Sequence, residues 1–347
     1  MSQPQTTDVV VVGAGPVGLF TVFQCGMVGL SCHVVDALDT VGGQCAALYP
    51  EKPIFDVPGH PRILAGELVD KLVEQAAPFT PTLHLGQTAS GLTRLDDAFD
   101  GAGGWRLETS AGTVIEAPVV VLAAGAGAFG PNRPPLDGIE SFERQGPGVG
   151  VHYYVTRQED FRGRKVVIAG GGDSAVDWAL ALAEVAASVA VVHRRDRFRA
   201  APDSARRLKE KAAEGAIDLV IPYQLAGLEG TNGHLDAVVV ADLDGNQRTL
   251  PADTLLPFFG LAGDLGPITQ WGVDLHLHHI PVTPGTSATN LPGVFAVGDV
   301  CTYPGKLKLI LTGFAEAAHA AHAAFPLARP GQALHMEHST TSGVPGR

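Results

Sequence analysis

Two glycine-rich turns in this chain are built to cradle phosphate. The first reads Gly13-Ala14-Gly15-Pro16-Val17-Gly18, and Asp36 follows 23 residues after Gly13. The second reads Gly170-Gly171-Gly172-Asp173-Ser174-Ala175, and His193-Arg194-Arg195 follows 23 residues after Gly170. Glycine at these spacings allows a tight turn, close approach of a pyrophosphate to the backbone, and close packing of helix on strand. A helix starting at such a turn offers N–H donors and positive potential to an anion. The two turns end in opposite chemistries. A carboxylate such as Asp36 accepts hydrogen bonds from a ribose diol. It would repel a 2′-phosphate, whereas the guanidinium groups of Arg194, Arg195 and nearby Arg199 pair with one bidentately. The second site is therefore expected to prefer NADPH to NADH. Two dinucleotides with different ribose ends imply electron passage between a nicotinamide and a second, resident cofactor.

The surrounding pattern supplies the elements that must position these residues. Residues 8–12 read DVVVV, a β-branched run suited to a buried parallel strand. LFTVFQCGMVGL is long enough for a helix, and LSCHVVD reads as the next strand, ending in Asp36. The second unit repeats the plan, with KVVIA as strand, VDWALALAEVA as helix and SVAVV as the next strand. A βα turn that binds nothing would share the first pattern, and a solvated basic helix start would share the second. Residues 193–211 hold eight Lys/Arg and three Asp/Glu, a local excess of positive charge within a chain of net charge −12.

A length of 347 residues suits two domains with ample core. Strand-like EAPVVVLAAG (116–125) precedes the Gly- and Pro-rich GAFGPNRPP, which reads as a domain crossing. Residues 217–260 alternate in short runs and read as an antiparallel meander inside a nucleotide-binding unit. NLPGVFAVGDV (290–300) and the helical LTGFAEAAHAAHAAF (311–325) return to the first unit. From Pro326 onward the tail shows no helical or strand period. The expected fold class is α/β, with two Rossmann-like, three-layer nucleotide-binding domains, the second inserted in a split first. Expected boundaries are 1–122, 123–257, 258–330 and a C-terminal extension, 331–347. No apolar run of membrane-spanning length and no basic-then-apolar leader is present. Four irregularly spaced cysteines argue against a disulfide scaffold and for a reducing cytoplasm. The acidic balance disfavours nucleic acid as a partner.

GAGPVG with Asp36, GGQ (42–44), Ala123-Ala124-Gly125, GGGDSA, HRR and GVFAVGD occur in order along nearly the whole chain. In this it resembles the thioredoxin-reductase-like flavoproteins. The resemblance implies FAD in the first site, tightly but non-covalently bound, and NADPH in the second. It also implies that Asp299 hydrogen-bonds the FAD and that Gly43 and Gln44 lie close to it. One departure stands out. Thioredoxin reductases carry a Cys-x-x-Cys before the strand that leads to the second loop, and residues 148–165 contain no cysteine. No dithiol stands ready there to reduce a protein disulfide.

Further motifs are Ala47–Asp56 (ALYPEKPIFD), GVHYYV (150–155), TYPGKL (302–307) and HSTT (338–341). They are similar to the ferredoxin–NADP reductases built on the thioredoxin reductase scaffold, which are homodimeric FAD enzymes. The resemblance implies that Tyr49 stacks on one flavin face, and that His338 of the extension covers the other face in the partner subunit, with Thr340 beside it. Ala89, Phe129 and the Pro16-Val17 backbone would also line the FAD. The implied activity is hydride transfer from NADPH to the flavin, then two one-electron steps to ferredoxin or flavodoxin. Arg157, Arg162, Arg164, Lys165, Lys306 and Lys308 are candidate docking cations for an acidic carrier. Cys45 leaves alternatives open. It follows GGQ as the redox cysteines of glutathione-reductase-like enzymes do, but Pro50 stands where the second cysteine would be. A single-cysteine disulfide or peroxide reductase and an NADPH:quinone or diaphorase-type enzyme are the rival activities. A flavin-holding sensor protein without turnover is a third reading.

Overall fold

The computed structural model describes residues 3–99, 101–143, 145–334 and 343–344. Among them the helices are α1 (Pro16–Met27), α2 (Gly43–Ala47), α3 (Ala65–Ala76), α4 (Asp173–Leu182), α5 (Pro202–Ala213) and α6 (Ile310–Ala328). The chain divides into two compact units. One comprises Met1–Phe129 and Gly263–Arg347, the other Gly130–Ala262.

The first unit is built on a five-stranded parallel sheet. Its strand order is Val294–Ala296, Val119–Leu122, Val9–Val12, Cys32–Val35, Thr82–His84. The run of valines at 9–12 is buried throughout because the sheet is covered on both faces. Alternation sorts those valines. Val9 and Val11 pack with Val22 and Cys25 of α1 and with Ala320, Ala321 and Phe325 of α6. Val10 and Val12 pack with Trp105, Leu107 and Ile115 of a mostly antiparallel sheet that forms the third layer. The many alanines of α6 allow it to lie close against α1.

The second unit repeats the parallel sheet in the order Gly150–Val151, Thr254–Pro257, Lys165–Ala169, Ser188–Val192, Asp218–Val220. The expected meander is the antiparallel sheet Gln224–Thr231, His234–Ala241, Gln247–Pro251. Its Leu235, Val238, Val240 and Leu250 cover Val167, Ala169 and Val192. Both units thus have the three-layer α/β plan read from the sequence.

Two boundaries differ from expectation. The crossings expected at 122/123 and 257/258 fall at 129/130 and 262/263. Ala123–Gly127 stays with the first unit because it forms a turn there, Gly127 N–H donating to Ala124 O at 2.8 Å. Pro326, where the tail was expected to begin, lies inside α6. It sits in the last turn and is exposed, so its lost N–H removes one bond at the frayed end, and Arg329 N–H still donates to Phe325 O at 2.8 Å.

Candidate functional site

Three segments distant in sequence converge on the first glycine turn, two of them at Ala14. Asp36 Oδ2 accepts its N–H at 2.6 Å, and Oδ1 accepts Leu38 N–H at 2.8 Å. Gly42 N–H donates to Ala14 O at 2.8 Å, which ties the GGQ segment to the turn. Gly13, at φ +112°, lies directly on the carbonyl of Ala123, and Gly18 on the carbonyl of Gly13, so no Cβ fits at either. Gly15 differs. A Cβ there would have only the Cα of Gly43 near it, at 4.0 Å, and Gly15 is the N-cap of α1 without a side-chain cap bond. The first-turn amides following it, apart from Pro16, are left for an anion. Burial pushes the Asp36 carboxyl up, against the two backbone hydrogen bonds that pull it down.

Beside this turn stands a buried thiol–phenol pair. Cys45, buried in α2, donates its thiol to Tyr49 Oη at 3.9 Å. Tyr49 packs against the buried cluster that includes Leu19, Leu68 and Leu72, its ring 6.0 Å from Lys52 Nζ. Burial raises both the thiol, to about 11, and the phenol, and the charge of Asp299 adds to each rise. That electrostatic link brings Asp299, exposed in the Gly298–Val300 turn, to the same neighbourhood. Gln44 is half-buried in the first turn of α2. Ala89 is buried among Val12, Val35 and Leu107. Phe129 lies in the strand Ala128–Pro131. His338 and Thr340 lie outside the described residues.

The second turn has a different interior. Gly170, at φ +155°, approaches Phe258 O, and Gly172 caps α4 with open space beside it. Ser174 is exposed in the first turn of α4, and Ala175 is buried beneath it. Asp173 Oδ1 accepts Ala201 N–H at 2.8 Å, and Arg199 N–H donates to Gly171 O at 2.7 Å. These two bonds tie the 193–201 loop to the turn. Arg194, Arg195 and Arg199 are exposed, and no described carboxylate pairs with them. His193, beside them in sequence, is half-buried instead. Its ring covers Gly171 and stacks on Phe198 at 5.1 Å.

The pattern of the pyridine nucleotide-disulphide oxidoreductases matches residues 7–324. The chain belongs to that family. It is 65% identical over 339 residues to the ferredoxin–NADP reductase of Paramagnetospirillum magneticum, covering 98% of each chain. It is likewise 65% identical over 345 residues to the ferredoxin–NADP reductase of Rhodospirillum rubrum, covering 99% of this chain and 98% of that one. In fold it is similar to the thioredoxin reductase of T. acidophilum, with a TM-score of 0.78 and 22% identity over 92% of this chain and 98% of the other.

This pyridine nucleotide-disulphide oxidoreductase holds all four of its cysteines free and buried. Among the described residues no helix is long and apolar enough to cross a membrane. Sequence reasoning missed one buried cluster. Glu316 of α6 pairs with Lys306, both side chains 5% exposed, and also accepts from Tyr303 Oη at 2.6 Å and Gly298 N–H at 2.8 Å. A lone acid in the Ala-rich run of α6 was the available signal. Lys306 is thereby corrected from docking cation to core ion pair. Arg157 and Arg162 are bound to Asp160 and Glu159, while Lys165 and Lys308 remain exposed.

Proposed function

We infer that this enzyme is a ferredoxin–NADP reductase that moves electrons between NADPH and ferredoxin, or a flavodoxin, with FAD as its resident cofactor. The observation that carries the reading is full-length identity of 65% to proteins so named, joined to two intact phosphate turns and a cysteine-free 148–165 segment.

The residues fit the two dinucleotides. Gly15 leaves the gap beside the uncapped start of α1 that a pyrophosphate needs. Gly13, Pro16, Val17 and Gly18 form that turn, and Asp36 stands where a ribose diol would reach it. Gly43, Gln44, Ala89, Phe129 and Asp299 are assigned to the FAD. Tyr49 offers a flat, polarisable ring to one flavin face, and His338 and Thr340 of the extension are assigned to the other face in a homodimer. Bound FAD would supply what no side chain here can, the exchange of a hydride for single electrons. Gly170, Gly172, Asp173, Ser174, Ala175 and His193 shape the NADPH turn, and Arg194, Arg195 and Arg199 bind the 2′-phosphate. No acid–base residue is required. The FAD domain comprises the first unit and the NADPH domain the second. The enzyme works in the cytoplasm.

The buried, protonated Cys45 disfavours the disulfide or peroxide route, because the thiolate is the reactive form. The test is NADPH-driven reduction of cytochrome c with and without added ferredoxin, beside a disulfide-reduction assay. Saturable dependence on ferredoxin supports the reading. Disulfide turnover with no response to ferredoxin overturns it.

A further inference from the structure

The Glu316 carboxylate collects four donors. Oε2 accepts Gly298 N–H at 2.8 Å and Cys301 S–H at 3.4 Å. Oε1 accepts Tyr303 O–H at 2.6 Å and the ammonium of Lys306. A buried ion pair of this kind is a weak source of stability, since well-packed apolar residues of similar volume often serve as well. Its geometry points elsewhere. Gly298, at φ +77°, has the side chain of Val17 3.4 Å from where its Cβ would stand. Gly313 of α6 meets the same Val17 and comes within 3.3 Å of Gly298 Cα, again measured from where a Cβ would stand. The first turn of α1, the Gly298–Asp299 turn and α6 therefore meet at one point, and Glu316 lies one helical turn beyond it. Among the described residues Gly298 N–H is the sole backbone donor to that carboxylate, and Asp299 is the next residue. A shift of Gly298 would carry Asp299 with it.

We propose that Glu316, charge-balanced by Lys306, is a positioning residue for the FAD site, holding the Gly298–Asp299 turn against the phosphate turn at the start of α1. This rests on the assignment of FAD to the first unit. What matters is an acceptor at position 316 for Gly298 N–H; the ammonium of Lys306, bonded to the other carboxylate oxygen, holds that acceptor in place.

Two double variants separate positioning from ion-pair stability. Lys306→Met with Glu316→Gln removes both charges and keeps an acceptor. Lys306→Met with Glu316→Leu removes both charges and the acceptor. Both are compared with wild-type holoenzyme by thermal melting and by FAD titration of the stripped protein. The expected result is similar melting of the two, with the FAD dissociation constant raised about tenfold in the leucine double and near wild type in the glutamine double. Equal dissociation constants in the two overturn the proposal. Should either fail to fold, exchange of the Gly298 amide in the wild-type protein decides. Slow exchange supports the bond, and exchange at the rate of an open turn overturns it. A wild-type chain that takes up no FAD overturns the functional reading itself, and the proposal with it.

Discussion

The imidazole of His193 lies so close over Gly171 that a Cβ at 171 would stand only 2.2 Å from its Cε1. The ring is held from its other sides by Phe198 and by Nε2–H donating to Arg197 O at 3.3 Å. Burial first, and the neighbouring Arg194, Arg199 and Arg195 charges after it, hold its pKa below the ordinary histidine value. A stacked imidazole with a lowered pKa forms a floor under the second glycine turn. Gly171→Ala is expected to push that floor away. Overpacking of this kind costs about 1–3 kcal/mol, so the NADPH dissociation constant should rise roughly five- to a hundredfold with FAD content unchanged. Titration of the oxidised enzyme with NADP+ checks this, and an unaltered constant would discount the contact.

The arginines should behave differently. Arg194→Ala with Arg195→Ala removes exposed guanidinium groups and leaves the fold intact. Hydrogen bonds to charged groups are worth about 1.5–3 kcal/mol, so the NADPH KM should rise roughly ten- to a hundredfold while the NADH KM barely moves. Equal losses for both cofactors would remove the 2′-phosphate assignment.

These two sites show what the sequence reveals and what it hides. Local rules carried the fold, because βα turns, valine runs and the 23-residue intervals are short-range patterns. Asp36 was legible since it ends a strand. The contact of His193 with Gly171 was not, since the first and third glycines of GGGDSA draw attention while the ring that needs the second lies in another segment. Lys306 was misread as surface because composition alone places lysine there. Its partner, Glu316, is separated from it by the start of a helix. Pairing of that kind depends on how α6 packs, which no local pattern encodes.

That correction has its own consequence. Lys306→Ala leaves the Glu316 carboxylate buried without its ammonium, and breaking a buried pair costs about 3–5 kcal/mol. A lowered melting temperature is expected, with the salt dependence of ferredoxin turnover unchanged. Lys308→Ala, at an exposed site, should leave melting unaltered. A Lys306→Ala protein that melts like wild type contradicts the burial.

Acid should loosen the edge of the first sheet. His84 and His33 face each other with Nε2 and Nδ1 3.1 Å apart, and His84 O accepts the N–H of Asp36 at 3.1 Å. Burial lowers both histidines, and His84 lowers His33 further. A depressed histidine contributes stability that is present above the unfolded value of about 6.5 and is lost as pH falls through the folded value. Melting temperature should therefore decline below pH 6.5, and His33→Gln should flatten that decline. A parallel decline in the variant would assign the acid sensitivity elsewhere.

Cys45 tests the choice between electron carriers at the level of chemistry. Burial raises its thiol from 9.0 to about 11, despite the hydrogen bond to Tyr49 that pulls the other way. At neutral pH almost no thiolate forms, and the thiolate is the species that attacks a disulfide or a peroxide. Cys45→Ser is thus expected to keep ferredoxin reduction within about twofold of wild type, a change of under 0.5 kcal/mol. The raised folded value also fixes the sign of a stability effect. The protonated thiol favours the folded state fully below pH 9.0, and this contribution is lost as pH rises toward about 11. Wild-type melting should fall across that alkaline window more steeply than in Cys45→Ala, whose side chain does not titrate. Loss of ferredoxin turnover in Cys45→Ser, together with loss of disulfide reduction, would instead put the cysteine on the electron path.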